Sequence, residues 1–411
     1  MQYRVTLKCT APWFLALAAA SAAGADPGAA SSGLFDGAVW HLDFRYRLEL
    51  VDEDGFNENA EASTLRTRLG LKTGQWQGFQ ALVELSDVRE IGFDDFNAGA
   101  GATPNRVQFP VVADAEDTRV NQAWLGFSPS PGLELRAGRQ RIKLDNDRFV
   151  GNVGWRQNEQ TYDGASLEWK RDGWKLFYSY VGHVNRIFDS DVPAGDHDHD
   201  THLLNLSWQF AEGHALTGYL YRIEDQDQQS FSNTSIGARY TGSAHPFGEP
   251  ALSWLVEFAH QRDAADNPVG YDADYFHLRA DYALDPRFKP LIGWERLEGS
   301  NEAGAAFRTP LATLHAFNGW ADRFLITPDR GLDDLYAGFA GAQGRLGWHL
   351  IWHRFDTETG DQRLGDEIDA SLSIKLHKTT SALFKLAHVA DENDRIPGVT
   401  KFWFMLSVGL P

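Results

Sequence analysis

WHLDFRYRLEL, residues 40–50, alternates without a break. Trp40, Leu42, Phe44, Tyr46, Leu48 and Leu50 fall on one side of an extended chain. His41, Asp43, Arg45, Arg47 and Glu49 fall on the other. A period of two marks a β-strand, because successive side chains leave a pleated strand on opposite faces. One face of this strand is apolar, and the other carries both signs of charge.

The same alternation recurs down the chain. Leu65, Thr67, Leu69 and Leu71 alternate with Arg66, Arg68, Gly70 and Lys72. Leu252, Trp254, Val256 and Phe258 alternate with Ser253 and Glu257, and Ile368, Ala370 and Leu372 with Glu367, Asp369 and Ser371. Eighteen such runs start near residues 40, 64, 79, 119, 133, 161, 174, 202, 214, 233, 251, 274, 288, 335, 346, 367, 381 and 401. Their connections alternate in length. Short ones include SPSPG (128–132), KRDG (170–173), AEG (211–213) and HKTT (377–380). The longest are expected over roughly 87–118, 182–200 and 298–333. An even number of strands with short turns at one rim and long loops at the other is the layout of an outer-membrane barrel. The expected fold is therefore all-β: a transmembrane antiparallel barrel of 18 strands, with long extracellular loops and short periplasmic turns. Trp40, Trp208, Trp348, Trp352 and Trp403 lie near strand ends, as interfacial girdle residues do. A soluble sandwich is the alternative, but it seldom needs such long strands throughout.

Composition agrees with this reading. The 411 residues carry 38 Lys and Arg against 57 Asp and Glu, a formal charge of −19, which disfavours a nucleic-acid partner. One cysteine excludes a disulfide scaffold and a cysteine-ligated metal centre. Aromatic content of 13% excludes a disordered chain. Residues 1–25 read as a secretory leader: Arg4 and Lys8, an apolar stretch Ala11–Ala20, then Ala23-Gly24-Ala25 before Asp26. The stretch is too short to span a bilayer. Residues 26–411 are expected to form one barrel domain in the outer membrane of a Gram-negative bacterium, with lipid and the barrel-assembly machinery as partners.

About eighteen strands enclose an aqueous lumen. The polar phase of the strands places Arg45, Arg47, Arg66, Arg68, Arg136, Arg239 and Arg279 on its wall, among acids such as Asp43, Glu49, Glu84, Glu257 and Glu295. Arginines in a pore favour anions and pair with carboxylates. The bland alternative is mutual neutralisation of wall charges. Arg139 and Arg141 fall on the lipid phase, which suggests a bulge or the headgroup zone there.

Five stretches go beyond composition: STLRTRLG (63–70), FQALVELSDVR (79–89), FPVVADAEDTRVNQAWL (109–125), AGRQRIKLDNDRFVGNVGWRQNEQTYDGASL (137–167) and TPLATLHAFNGWADRFL (309–325). Together they resemble the alginate-export porin family. The resemblance implies a monomeric 18-stranded barrel with an arginine-rich constriction that passes an anionic saccharide, and a lid over the pore from loop 87–118. It places Arg66, Arg68, Arg136, Arg139, Arg141, Arg148 and Arg156 among the constriction candidates. The turn HKTT is short where the alginate exporter has a long plugging turn, so uptake of other small organic solutes stays open beside polyuronate export.

No cofactor is expected. Asp196, His197, Asp198 and His199 could hold a divalent metal, although a solvated loop tip is the simpler reading. The acidic runs 52–55 and 356–361 miss the EF-hand spacing. GxSxG, HExxH and P-loop motifs do not occur, so an enzyme is not expected. An outer-membrane hydrolase would need a catalytic constellation at one rim. An adhesive barrel would have a blocked lumen. Segment 309–325 is apolar for a loop and is expected to fold back into the barrel mouth.

Overall fold

The computed structural model describes residues 33, 35–246, 248, 251–390 and 395–410. The leader expected over 1–25 lies outside them. The described chain forms a closed antiparallel barrel of 18 strands, each hydrogen-bonded to its sequence neighbours. The strands are β1 (Val39–Glu53), β2 (Ala60–Lys72), β3 (Phe79–Asp95), β4 (Asp117–Ser130), β5 (Leu133–Gln140), β6 (Thr161–Arg171), β7 (Trp174–Asn185), β8 (Asp196–Ala211) and β9 (His214–Ile223). They continue as β10 (Asn233–Ala244), β11 (Leu252–Asp263), β12 (Asp272–Tyr282), β13 (Lys289–Leu297), β14 (Leu332–Gln343), β15 (Leu346–Asp356), β16 (Arg363–Lys375), β17 (Thr380–Val389) and β18 (Val399–Leu410). Closure comes from β1 pairing with β18, from Leu42↔Leu410 to Glu53↔Val399. A closed ladder leaves no edge strand, which is what a bilayer demands of a sheet.

The alternation of the sequence maps onto two solvents. Leu69, Val83, Phe258 and Leu372 are exposed on the outer face, while Arg45, Arg47, Glu49 and Val51 of β1 are buried in the lumen. Trp174 stacks on Trp208 at 5.0 Å on the outside near the short-turn rim, and Phe210, His214, Tyr240 and Trp254 continue that aromatic band.

Three expectations change. Trp403 is not a girdle residue: it is fully buried in the lumen, beside Trp155 and His315. Its position on β18 shares the phase of Lys401, and that phase faces inward. Residues 182–200 do not form one of the longest loops, because β7 runs to Asn185 and β8 starts at Asp196. The long loops are 96–116, 141–160 and 298–331. Asp196–Asp200 is strand, not loop tip: His197 and His199 point inward and are buried, while Asp196 and Asp198 face outward beside His183.

Three long loops turn inward and supply the lumen with a core. Phe96, Phe109 and Val112 from 96–116 pack on Val51, Ala62, Val389, Val399 and Trp403 of β1, β2, β17 and β18. Phe149 from 141–160 meets Tyr219 at 5.1 Å, Tyr275 at 5.4 Å and Phe307 at 5.9 Å. Loop 298–331 enters where Asn318 and Gly319 adopt φ of 54° and 82°. A Cβ at Gly319 would stand 2.2 Å from the Glu367 carboxylate, so the close approach requires glycine. Segment 309–325 thus folds into the barrel as its apolar composition suggests.

Candidate functional site

Arg45 and Arg66 lie directly opposite each other on β1 and β2. Like charges in that arrangement repel. The two side chains avoid each other by taking different partners. Arg66 pairs with Asp43. Arg45 turns to loop 141–160, donating to Gln157 Oε1 at 2.9 Å, Gly154 O at 2.8 Å and the Arg156 carbonyl. Arg47 donates to Trp155 O at 2.6 Å and to Glu49 at 2.8 Å, and lies 3.2 Å from Asp114 of loop 96–116. Arg68 pairs with Glu159 at 3.3 Å, and Arg141 donates to the same carboxylate through Nε at 2.9 Å. Arg45, Arg47, Arg66 and Arg68, four of the arginines expected on the wall, therefore share one patch of it, each buried and joined to an inward loop or a neighbouring acid.

Arg156 extends this network. It reaches Glu49 at 3.1 Å and Asp322 at 2.9 Å. Asp322 also accepts from His315 Nδ1 at 2.7 Å and stands 3.5 Å from Lys401. Burial pushes His315 down to about 3, and the Lys385 ammonium that meets its Nε2 at 2.6 Å keeps the ring neutral. For Glu159, burial acts upward, but Arg68, Arg141 and the Asn121 amide override it and hold the carboxyl at about 2.

The remaining candidates are dispersed. Arg136 sits lower on β5, over the Trp124 ring at 4.2 Å and bound to Glu134. Arg239 pairs with Glu257 at 2.9 Å, and Arg279 with Asp281 at 2.7 Å. Arg139 is on the outer face, in register with Asp163 and bound to it by two 2.8 Å bonds. The outward phase expected for it holds, so it is not one of the constriction residues that the resemblance implies. For Arg141 it does not, because the strand ends at Gln140 and the chain turns into the lumen.

The inward loops divide the lumen into two cavities. The lower one, about 470 Å³, is lined by Arg239, Arg279, Asp281, Glu295, Asp334, His277, His353 and Phe317–Trp320. The upper one is a vestibule of about 370 Å³ between the long loops. Arg148, Arg156, Arg186 and Arg308 line it, with Asp322 as the one carboxylate. Its remaining wall is largely apolar, with Phe188, Phe231, Phe324, Leu325 and Ile326. Arg148 stands between the cavities. It donates to Glu295 at 2.6 Å, Thr309 at 3.0 Å and Asn318 at 3.1 Å.

Sequence reading missed Arg186 and Arg308, because neither lies on a strand. Arg186 follows β7 directly, lies over the Phe231 ring at 6.0 Å, and has one guanidinium nitrogen, Nη1, buried without a hydrogen-bond partner. Arg308 reaches Thr327 O at 2.9 Å, with Asp329 3.6 Å away.

Comparison with known proteins agrees with this architecture. The alginate-export family model matches residues 39–295. None of the curated proteins compared by sequence matches the chain. Among solved structures, OccAB2 of Acinetobacter baumannii superposes with a TM-score of 0.72 at 15% identity, over 92% of this chain and 98% of its own. OccK9 (OpdG) of Pseudomonas aeruginosa gives 0.71 at 14% identity, over 92% and 100%. OccK5 (OpdH) of the same organism gives 0.68 at 14% identity, over 92% and 99%. These likenesses establish the fold, and the family match covers more than half of the sequence. The chain belongs to the alginate-export family, and its closed 18-stranded barrel is that of an outer-membrane channel.

Proposed function

We propose that the barrel passes small organic anions, anionic saccharides among them, as a monomeric passive channel without a catalytic step. The observation that carries this reading is the vestibule, where four arginines face one aspartate. Arg186 and Arg308 are the least neutralised of the four, since Arg148 and Arg156 already hold Glu295, Glu49 and Asp322. A carboxylate entering the vestibule can take a bidentate place on a guanidinium, and apolar walls strengthen that pairing by excluding water. The chain is acidic as a whole, but exposed loop charge acts only over about a Debye length, ~10 Å at 0.1 M salt.

The volume of about 370 Å³ suits a small solute rather than an extended polymer. The Arg148 partition supports the same preference. On this reading the leader is removed before Asp26, which the mass of the mature protein reports.

Reversal potentials across planar bilayers in a salt gradient test the proposal. The channel is expected to favour anions, and Arg186→Ala to weaken that preference. A cation-selective wild type overturns it.

A further inference from the structure

His197 and His199 alternate on β8, so both face the lumen, where Asp225 of the connection 224–232 between β9 and β10 meets them. All three residues are buried, and their candidate ligand atoms lie within 4.8 Å of one another. His197 Nδ1 is 2.7 Å from Asp225 Oδ2. His199 Nε2 is 3.6 Å from the same oxygen and has no hydrogen-bond partner, although the residue is only 3% exposed.

That orphan atom needs a reason. His199 Nδ1 contacts Thr201 Oγ1 at 3.0 Å. With the ring proton on Nδ1, where Thr201 Oγ1 can accept it, the Nε2 lone pair faces the Asp225 carboxylate. Two electron-rich atoms facing each other in a buried site repel, and a cation between them removes the conflict. The surroundings are those of a supported ligand set. Asp225 Oδ1 accepts the backbone N–H groups of Asp227 at 3.1 Å and Gln228 at 2.8 Å, which fixes the carboxylate.

We infer that His197, His199 and Asp225 bind a first-row divalent cation such as Zn²⁺ at the edge of the vestibule. Two imidazoles and one carboxylate suit such an ion better than Ca²⁺ or Mg²⁺, which prefer oxygen ligands. Ligand atoms ~2.0–2.2 Å from a tetrahedral ion stand roughly 3.4 Å apart, within reach of small side-chain rotations here. His197 borders the vestibule cavity, so the ion exchanges with outside solution. Arg186 is the opposing charge, because its guanidinium also bears on Asp225. It lowers cation affinity without occupying the ligand positions.

The test uses full-length protein in detergent, with any histidine tag removed and adventitious metal stripped by chelator. Zn²⁺ binding is followed by calorimetry and Co²⁺ binding by visible absorption. One equivalent per chain is expected. His199→Ala and Asp225→Asn should each weaken binding at least tenfold while the barrel keeps its heat-modifiable mobility on gels. Arg186→Ala should tighten binding, although it weakens anion preference, so this proposal and the anion-channel reading can fail separately. The outer-face variant His183→Ala should leave binding unchanged. No saturable binding by the wild type overturns the site. So does undiminished binding in both His199→Ala and Asp225→Asn.

Discussion

Arg148 Nε lies 2.6 Å from Glu295 Oε1, and this bond ties the 141–160 loop to strand β13 between the two cavities. Both groups are buried, so removing one leaves the other charge stranded, typically at a cost of about 3–5 kcal/mol. Arg148→Ala should therefore shift the partition and raise single-channel conductance. The double variant Arg148→Ala/Glu295→Gln should recover stability while keeping the larger conductance. Conductance equal to wild type in both would mean that solutes bypass Arg148.

Acid should loosen the inward loops. His315 and Glu159 lie outside the membrane-spanning strands, and both have folded values below their ordinary ones, about 3 against 6.5 and about 2 against 4.5. Once the loops are released, each group binds a proton at higher pH than when docked. Docking stability is thus complete above about 6.5 and falls with pH, first through His315 and then, below about 4.5, through Glu159. Limited proteolysis of loop 298–331 should speed up between pH 7 and pH 4. A cleavage rate that does not change after correction for the protease's own pH profile contradicts this.

Loop 96–116 buries Phe109 and Val112 against β1, β2, β17 and β18, and places Asp114 3.2 Å from Arg47. Deleting residues 97–113 should enlarge conductance, because the apolar anchor leaves the lumen. A variant that assembles normally and conducts as the wild type does would assign the loop to the wall alone.

A charge on the lipid face should be costly. Val83 is 51% exposed on the outer side of β3 and Phe258 is 42% exposed on β11. Val83→Arg or Phe258→Arg should destabilise the barrel by about 2–4 kcal/mol if the site is near the bilayer midplane. Urea unfolding in lipid vesicles measures this, and a change below about 1 kcal/mol would place these residues at the interface.

The wall was legible in the sequence because alternation records two environments, lipid and lumen, at every second residue. Phe44, Trp254 and Phe404 could be assigned outward on that basis. The filling of the lumen was much less legible. Loop 141–160 is rich in Arg, Asp, Asn and Gln, the composition of a solvated loop, yet Gln157, Asn158, Glu159 and Gln160 are all buried. Their burial depends on partners far away in sequence, such as Thr64 for Gln157 and Ala115 for Asn158. No local period encodes such pairs. The His197/His199 pair was visible as composition, but only the length of β8 turned a supposed loop tip into an inward-facing row. Arg186 carried no signal beyond its position after a strand.

The network around Arg156 also bears on how the barrel forms. Glu49 comes from the first strand, Lys401 from the last, and Arg156 and Asp322 from loops between them. Contacts of such wide sequence separation form slowly, because chain entropy is lost before they are made. The lumen network and the β1–β18 seam therefore mature together. An open sheet with β1 and β18 apart would leave Glu49 and Lys401 on separate edges, and refolding should show a late, cooperative phase in which closure and loop docking share one rate.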